Sequence, residues 1–133
     1  MGFEEWKKTI PIQLENDPLW KSKYYQLGMY LYDLTWGDCD MLLKNAKGKN
    51  IVNQLIRSAG SICANMEEAY GRGVGSADHV RILRISLGEA REVKGWYIRS
   101  RHVLPINILE DRLTIIEQII SLLAKAISNR KIR

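Results

Sequence analysis

The chain has very little proline. Pro11, Pro18 and Pro105 are the only three in 133 residues, so the long intervals between them are free to stay helical. It has no long apolar run, because charges recur every few positions, and this excludes a membrane-spanning helix. The first residues, Met-Gly-Phe-Glu-Glu, lack the basic-then-apolar layout of a secretory signal, so a cytoplasmic location is expected. Cysteine is scarce too. Cys39 and Cys63 are too few and too far apart for a zinc site, and in a reducing compartment they are expected to be free thiols. The two histidines, His79 and His102, have no acidic or thiol companion in register, so neither a metal nor a cofactor is expected.

What is present fits one domain with a buried core: 46% of the side chains are hydrophobic, enough for a chain of this size to fold without staples. The net charge of +5 is unevenly spread. Residues 1–43 carry four Lys/Arg against seven Asp/Glu, residues 44–104 eleven against five, and residues 105–133 five against three. A basic centre with a basic tail suits nucleic acid or another acidic partner, although many helical domains carry similar charge with no such partner.

The apolar residues recur at helical spacing. Residues 1–16 show no sustained period and read as an N-terminal arm. Asp17-Pro18 is a helix start, with Trp20, Tyr24, Leu27, Leu31 and Leu34 on one face and an end near Gly37. A short helical extension and a basic turn are expected to follow. Ile51, Leu55, Ile62, Met66 and Ala69 mark a second helix, stopped by glycines at 71, 73 and 75. Ser76 can cap a third, whose buried side should hold Ile82, Leu83, Ser86, Ala90, Val93 and Tyr97. Asn107 and Glu110 suit a capping box for a fourth, carrying Leu109, Leu113, Ile116, Ile120, Leu123 and Ile127. The expectation is an all-α, antiparallel up-down-up-down four-helix bundle over 17–129, with helices at about 18–36, 50–70, 77–103 and 108–129, and a basic tail at 130–133.

Three features invite a chemical reading. On the second helix, Gln54, Arg57, Ser61, Asn65, Glu68 and Arg72 form one polar stripe. Its residue types contain no nucleophile with a base, so a network fixing helix packing or subunit contacts is preferred over a ligand site. On the third helix, Arg81, Arg84, Arg91, Arg99 and His102 form a basic line with Gly88 and Gly95 between them. Arginines at this spacing can meet phosphates while glycines admit a partner closely, and a merely solvated face balanced by Glu92 stays open as the alternative. Lys44, Lys47, Lys49 and the tail residues Arg130, Lys131 and Arg133 extend the basic surface. Glu89 falls among apolar positions, where an unpaired carboxylate is expensive, and Arg57 is its expected partner. Gly71-Arg72-Gly73-Val74-Gly75-Ser76 superficially matches a phosphate-cradling loop but follows no strand, so it reads as an interhelical turn whose amides and Arg72 could still receive a phosphate.

The run Gln54-Leu55-Ile56-Arg57-Ser58-Ala59-Gly60-Ser61-Ile62-Cys63-Ala64-Asn65-Met66-Glu67-Glu68-Ala69-Tyr70-Gly71-Arg72 resembles the hallmark of the bacterial four-helix-bundle proteins, which include those encoded within 23S rRNA intervening sequences. That hallmark reads Q-L-R-R-A-A-x-S-I-x-x-N-I-A-E-G-x-G-R. Trp20 and Tyr32-Asp33-Leu34-Thr35 resemble its first-helix W…Y-x-L-T, and Leu83, Ile85, Gly88 and Glu92 its third-helix L-x-I-A-x-G-S-L-x-E. The resemblance spans roughly residues 14–127. It implies a small cytosolic homo-oligomer, typically a pentamer, with a role around ribosomal RNA. Ile56 stands in place of a typical arginine, Glu67 and Ala69 in place of A and G of A-E-G, and Glu89 in place of the serine after Gly88. The longer loop before Gln54 adds Lys44, Lys47 and Lys49, moving basic charge from the second helix into the loop.

Two functions follow as expectations. The first is a non-enzymatic oligomer binding RNA or a ribonucleoprotein through Arg72, Arg81, Arg84, Arg91, Arg99, Lys44, Lys47 and Lys49, with Gln54, Arg57, Ser61, Asn65, Glu68, Glu89 and Glu92 as a structural or interface stripe. The second is a protein-interaction or assembly module that does not touch nucleic acid, including an accessory protein of a reverse transcriptase. Neither reading calls for a small-molecule substrate or a membrane.

Overall fold

The computed structural model describes residues 1–131, with side chains described through Asn129; the basic tail expected at 130–133 lies outside the described side chains. Six α-helices and no strand occur among the described residues: α1 Phe3–Trp6, α2 Ile12–Glu15, α3 Lys23–Leu43, α4 Lys49–Gly71, α5 Ala77–Arg99 and α6 Ile106–Lys131. The four long helices pack in a closed order, α3 on α4, α4 on α5, α5 on α6 and α6 on α3. Their inner faces follow the apolar periodicity. All six residues expected inside α5, from Ile82 to Tyr97, are buried, as are Leu55, Ile62, Met66 and Ala69 of α4 and Leu109, Ile116, Leu123 and Ile127 of α6.

Element ends differ from the spacing argument in four places, one of them the third long helix, expected to about 103, where α5 ends at Arg99 and a 3₁₀ turn over Ser100–His102 follows. Asp17 does cap, its Oδ1 accepting from the Leu19 amide at 2.9 Å. The capped element, however, is a 3₁₀ turn over Pro18–Lys21, and Ser22 is extended before α3 begins at Lys23. That break lets Leu19 bury and sets Trp20 against Trp6 and Tyr25, with ring centroids 6.0 and 6.4 Å away. Gly37 does not end α3. A helical glycine costs only about 1 kcal/mol relative to alanine, whereas burying Leu42 in the next turn contributes about 1.5–3 kcal/mol, so burial wins and the helix runs to Leu43. Asn107 and Glu110 form no capping box: α6 starts at Ile106, directly after Pro105, whose carbonyl accepts from the Leu109 amide. Proline's fixed φ suits that first turn. Ser76 caps α5 as expected, accepting from the His79 amide at 3.1 Å.

Residues 1–16, expected as an arm, contact α3. Trp6 is buried, donates through Nε1 to Asp33 Oδ2 at 2.8 Å, and joins Phe3 and Tyr30 in an aromatic cluster. Lys7 and Lys23 each lie over the Phe3 ring, at 4.9 and 4.3 Å from its centroid. The segment lacks a period because it is made of short turns, yet its aromatics supply the burial that docks it on α3.

Inside the helices sits a polar network. Asp38, only 2% exposed, accepts from Arg112 Nε at Oδ2 (2.8 Å) and from Nη2 at Oδ1 (2.9 Å). Its Oδ2 also accepts from the Tyr97 hydroxyl at 2.7 Å, and that hydroxyl shares a further 2.9 Å hydrogen bond with Thr35 Oγ1. Arg112 Nη1 reaches Asp111 at 2.6 Å. The two-pronged pairing is the strong form of a charge-assisted contact. Burial opposes the Arg112 charge, but the hydrogen bond and charge of Asp38 outweigh it and hold the guanidinium above its ordinary range. Removing one member leaves the other charge buried and unpaired. Asp38→Ala should therefore lower stability by about 3–5 kcal/mol, and Asp38→Leu combined with Arg112→Met should recover most of that loss. Urea unfolding of the three proteins checks this; a single variant as stable as the parent would refute it.

Candidate functional site

The polar stripe of α4 faces α5. Arg57 Nη2 meets Glu92 Oε2 at 2.7 Å and Gln54 Oε1 at 3.5 Å, while its Nη1 lies 3.9 Å from Glu89 Oε2. The Trp96 indole donates to the same Glu92 oxygen at 3.2 Å. Farther along, Arg72 pairs with Glu68 at 3.0 Å and with Asp78 of α5 at 3.5 Å. Asn65 Nδ2 donates to the Ser61 carbonyl one turn back. The stripe is thus a seam of ion pairs along the α4–α5 boundary, half exposed, where each pair contributes about 0–1 kcal/mol. The Arg57 charge goes chiefly to Glu92, and Glu89 receives only the longer contact.

Glu89 consequently remains poorly compensated. Its Oε2 is buried and accepts no hydrogen bond among the described residues. Burial pushes the Glu89 carboxyl up from the ordinary range and the neighbouring Glu92 charge adds to this, with Arg57 only partly opposing them. A raised carboxyl means that the folded state holds its proton more tightly than the unfolded chain. Stability contributed by the protonated form is then lost as pH rises through the carboxylate range. Glu89→Gln should therefore be more stable than the parent at neutral pH, with the gain shrinking as pH falls below that range. Chemical denaturation at the two pH values measures it, and a pH-independent difference would contradict it.

The basic line of α5 divides. Arg81 pairs with Asp78 at 3.4 Å. Arg84 and Arg91 are exposed and have no carboxylate within 4.0 Å among the described residues. Between them Gly88 is open: a Cβ built there would meet nothing within 4 Å. Gly95 is not open, because a Cβ there would come within 2.9 Å of Arg99 Nη1. Arg99 folds back along its own helix, its guanidinium 4.7 Å from the centroid of the Trp96 ring. Lys47, Arg99 and His102 line one cavity at the end of the molecule, while Lys44 and Lys49 flank the same α3–α4 connection. The eight candidate nucleic-acid contacts therefore differ in their surroundings. Arg72 and Arg81 belong to the paired seam, Arg84 and Arg91 to the α5 face, and Lys47 and Arg99 to the end cavity.

Gly73 and Gly75 have φ of 98° and 90°, the left-handed region that glycine adopts without a Cβ penalty. The α4–α5 connection is the interhelical turn expected, and the Ser76 hydroxyl donates to the Arg72 carbonyl. No group of three or more His, Cys, Asp or Glu able to hold a metal occurs among the described residues. Cys39 and Cys63 are free and buried. Burial, with the nearby Asp38 and Asp40 charges, pushes the Cys39 thiol up to about 11, and burial raises Cys63 as well, so neither is a thiolate at neutral pH. No helix among the described residues is long and apolar enough to cross a membrane.

Sequence reasoning missed Asp38 and Arg112. The signal was available. Asp38 follows Leu27, Leu31 and Leu34 at the spacing of the buried stripe, and Arg112 lies between Leu109 and Ile116 in the same way. Two opposite charges in two apolar registers point to each other.

The family model for the 23S rRNA-intervening sequence protein matches residues 21–128. The chain is also similar to a solved crystal structure from Bacteroides thetaiotaomicron, a protein with unknown function from the S23 ribosomal protein family. Identity is 25%, with 78% of this chain and 97% of that one covered, at a TM-score of 0.69. None of the curated proteins matches this chain.

Proposed function

The chain belongs to the 23S rRNA-intervening sequence protein family, and from that premise we propose that it is a non-enzymatic, cytoplasmic, homo-oligomeric four-helix-bundle protein that binds RNA or a ribonucleoprotein through a basic surface. The up-down-up-down arrangement rests on reach. Helix α3 has 21 residues, about 31 Å at 1.5 Å per residue. The connections over 44–48 and 72–76 span at most roughly 20 Å, too little to return a chain to the starting end. Successive long helices therefore reverse direction, and their closed packing order makes a bundle.

The observation that carries the RNA reading is the unpaired state of Arg84 and Arg91, one on either side of the open Gly88. They lie seven positions apart, two turns and roughly 10 Å along one face, where two guanidinium forks can each take a phosphate. In contrast, Arg57, Arg72, Arg81 and Arg112 all have carboxylates. The description of the similar solved protein as a member of a ribosomal protein family supports a ribosomal setting. Arg84→Gln with Arg91→Gln should leave helicity unchanged and weaken binding to single-stranded RNA. The slope of log K against log salt should fall in magnitude by about 1.4, the share of two lost phosphate contacts. Filter binding across a salt series reads both; an unchanged slope would remove the α5 face from the reading.

A second observation favours an assembly module, alone or as the means by which the oligomer forms. Trp36 is 63% exposed and Leu43 50%, both on one face of α3 with Tyr32, whose ring centroid is 6.3 Å from that of Trp36. Apolar groups at this helical spacing make a patch rather than scattered exposures. Gly60 of α4 lets Tyr32 lie close, since a Cβ there would come within 3.3 Å of its ring. On this reading the face meets a second copy of the chain, a pentamer being the expected assembly, or a protein partner such as a reverse transcriptase. Trp36→Ser with Leu43→Ser should lower the mass measured by light scattering toward that of one subunit while circular dichroism stays the same. Retention of the parental mass would show that subunits meet elsewhere.

A further inference from the structure

At the end of the molecule, where the α3–α4 connection approaches the last turn of α5, lies a cavity of about 440 Å³ lined by Asn45, Lys47, Gly48, Ile51, Arg99, His102 and Val103. Its volume falls within the roughly 300–1,000 Å³ typical of small-molecule sites. No carboxylate lines it. Lys47 and Arg99 have no carboxylate within 4.0 Å among the described residues, so both cations are uncommitted. Arg99 is nonetheless held in place, lodged against Gly95 and over Trp96.

The remaining lining groups add to a donor surface. Asn45 Oδ1 already accepts from the amides of Lys47 (3.0 Å) and Gly48 (2.8 Å), which leaves its Nδ2 as the available side-chain group. His102 contributes an imidazole at the edge. The turn is fixed by Gly48, where a Cβ would stand 2.8 Å from the Leu42 carbonyl oxygen. Gly48 precedes the positive end of the α4 dipole, which favours a nearby anion. Ile51 and Val103 are part-buried and pack on the core, giving the cavity apolar walls.

We propose that this cavity binds the phosphate monoester of a nucleotide, either free or at the 5′ end of an RNA chain. A monoester is close to a dianion at neutral pH with three acceptor oxygens, which suits two cations, an imidazole and an amide better than the single charge of an internal phosphodiester. The guanidinium fork of Arg99 matches two phosphate oxygens, and the Ile51 and Val103 walls suit the apolar faces of sugar and base. The inference rests on the RNA reading above only for the second of these two sources, since the α5 arginines do not line the cavity.

Calorimetric titration of the full chain at constant ionic strength tests it, with AMP and adenosine as one pair of probes and a short oligoribonucleotide with either a 5′-phosphate or a 5′-hydroxyl as the other. AMP should bind and adenosine should not, or the 5′-phosphate oligomer should bind at least about tenfold more tightly than its 5′-hydroxyl twin; the first result identifies a free nucleotide as the source, the second a chain end. In Lys47→Gln/Arg99→Gln, both positions being exposed, the preference should vanish with helicity and thermal midpoint unchanged. Arg84→Gln/Arg91→Gln should keep the preference for phosphate even where it loses affinity for the 5′-hydroxyl RNA, so failure of the α5 reading is seen separately. Absence of any preference for the monoester in the parent chain, or its persistence in Lys47→Gln/Arg99→Gln, overturns the proposal.

Discussion

The rest of the structure depends on Asp38 and Arg112. A carboxylate and a guanidinium taken out of water are tolerable only when nearly every polar atom of both is matched, because each ion carries a desolvation penalty of several kcal/mol. Here the match requires α3 to present Thr35 and Asp38, α5 to present Tyr97, and α6 to present Arg112 at one level. A helix displaced by one turn would keep its apolar contacts in large part but would strand a charge. Apolar packing alone tolerates many sliding arrangements of four greasy helices. The network penalises the wrong ones, which is the best-attested use of a buried polar group.

That register determines which way α5 faces. With Tyr97 pinned inward by Asp38 and Thr35, and Ser86 donating to the Ile62 carbonyl at 2.8 Å, the helix is held at two levels. The buried line through Ser86, Ala90, Val93 and Tyr97 leaves Glu89 and Glu92 at the α4 boundary and Arg84, Gly88 and Arg91 toward solvent. The arginine pairings follow directly from this rotation. Those within reach of the α4–α5 seam find carboxylates, and those on the outer face find none. No separate device is needed to keep Arg84 and Arg91 unpaired; no acidic residue stands three or four positions from either, and Glu89 and Glu92 of the same helix face the α4 boundary instead.

Much of this was legible from periodicity. The inward faces of α4, α5 and α6 follow apolar spacing because each long helix has one broad side to bury, and the pattern is strong over twenty residues. Ends were less legible, since they are decided by tertiary burial rather than by local residue type. Gly37 carries a stop signal that Leu42 overrides, and Asn107 and Glu110 carry a cap signal that Pro105 pre-empts two residues earlier. The docking of residues 1–16 was illegible for another reason. Trp6, Phe3 and Tyr30 meet across short turns, and no window of a single helix contains that relation. The division of the basic residues was equally hidden, because a stripe drawn on one helix does not show which neighbouring helix supplies carboxylates.

The departures from the family hallmark acquire a physical meaning in this setting. The hallmark arginine is replaced by Ile56, which packs partly buried against the core, so α4 has one fewer cation. The connection before α4 and the first residue of that helix instead carry Lys44, Lys47 and Lys49, none with a carboxylate in range among the described residues. Basic charge stands instead around the α3–α4 connection, beside a cavity that no carboxylate lines. A cation beside carboxylates contributes little field, while uncommitted cations on a concave, low-dielectric surface focus theirs outward. Were copies of the chain to assemble about an axis, each would repeat the same uncommitted end, and a weak local potential would become an extended one. On that argument uncommitted basic charge sits at the loop rather than on the hallmark segment, whose Arg57 and Arg72 are paired.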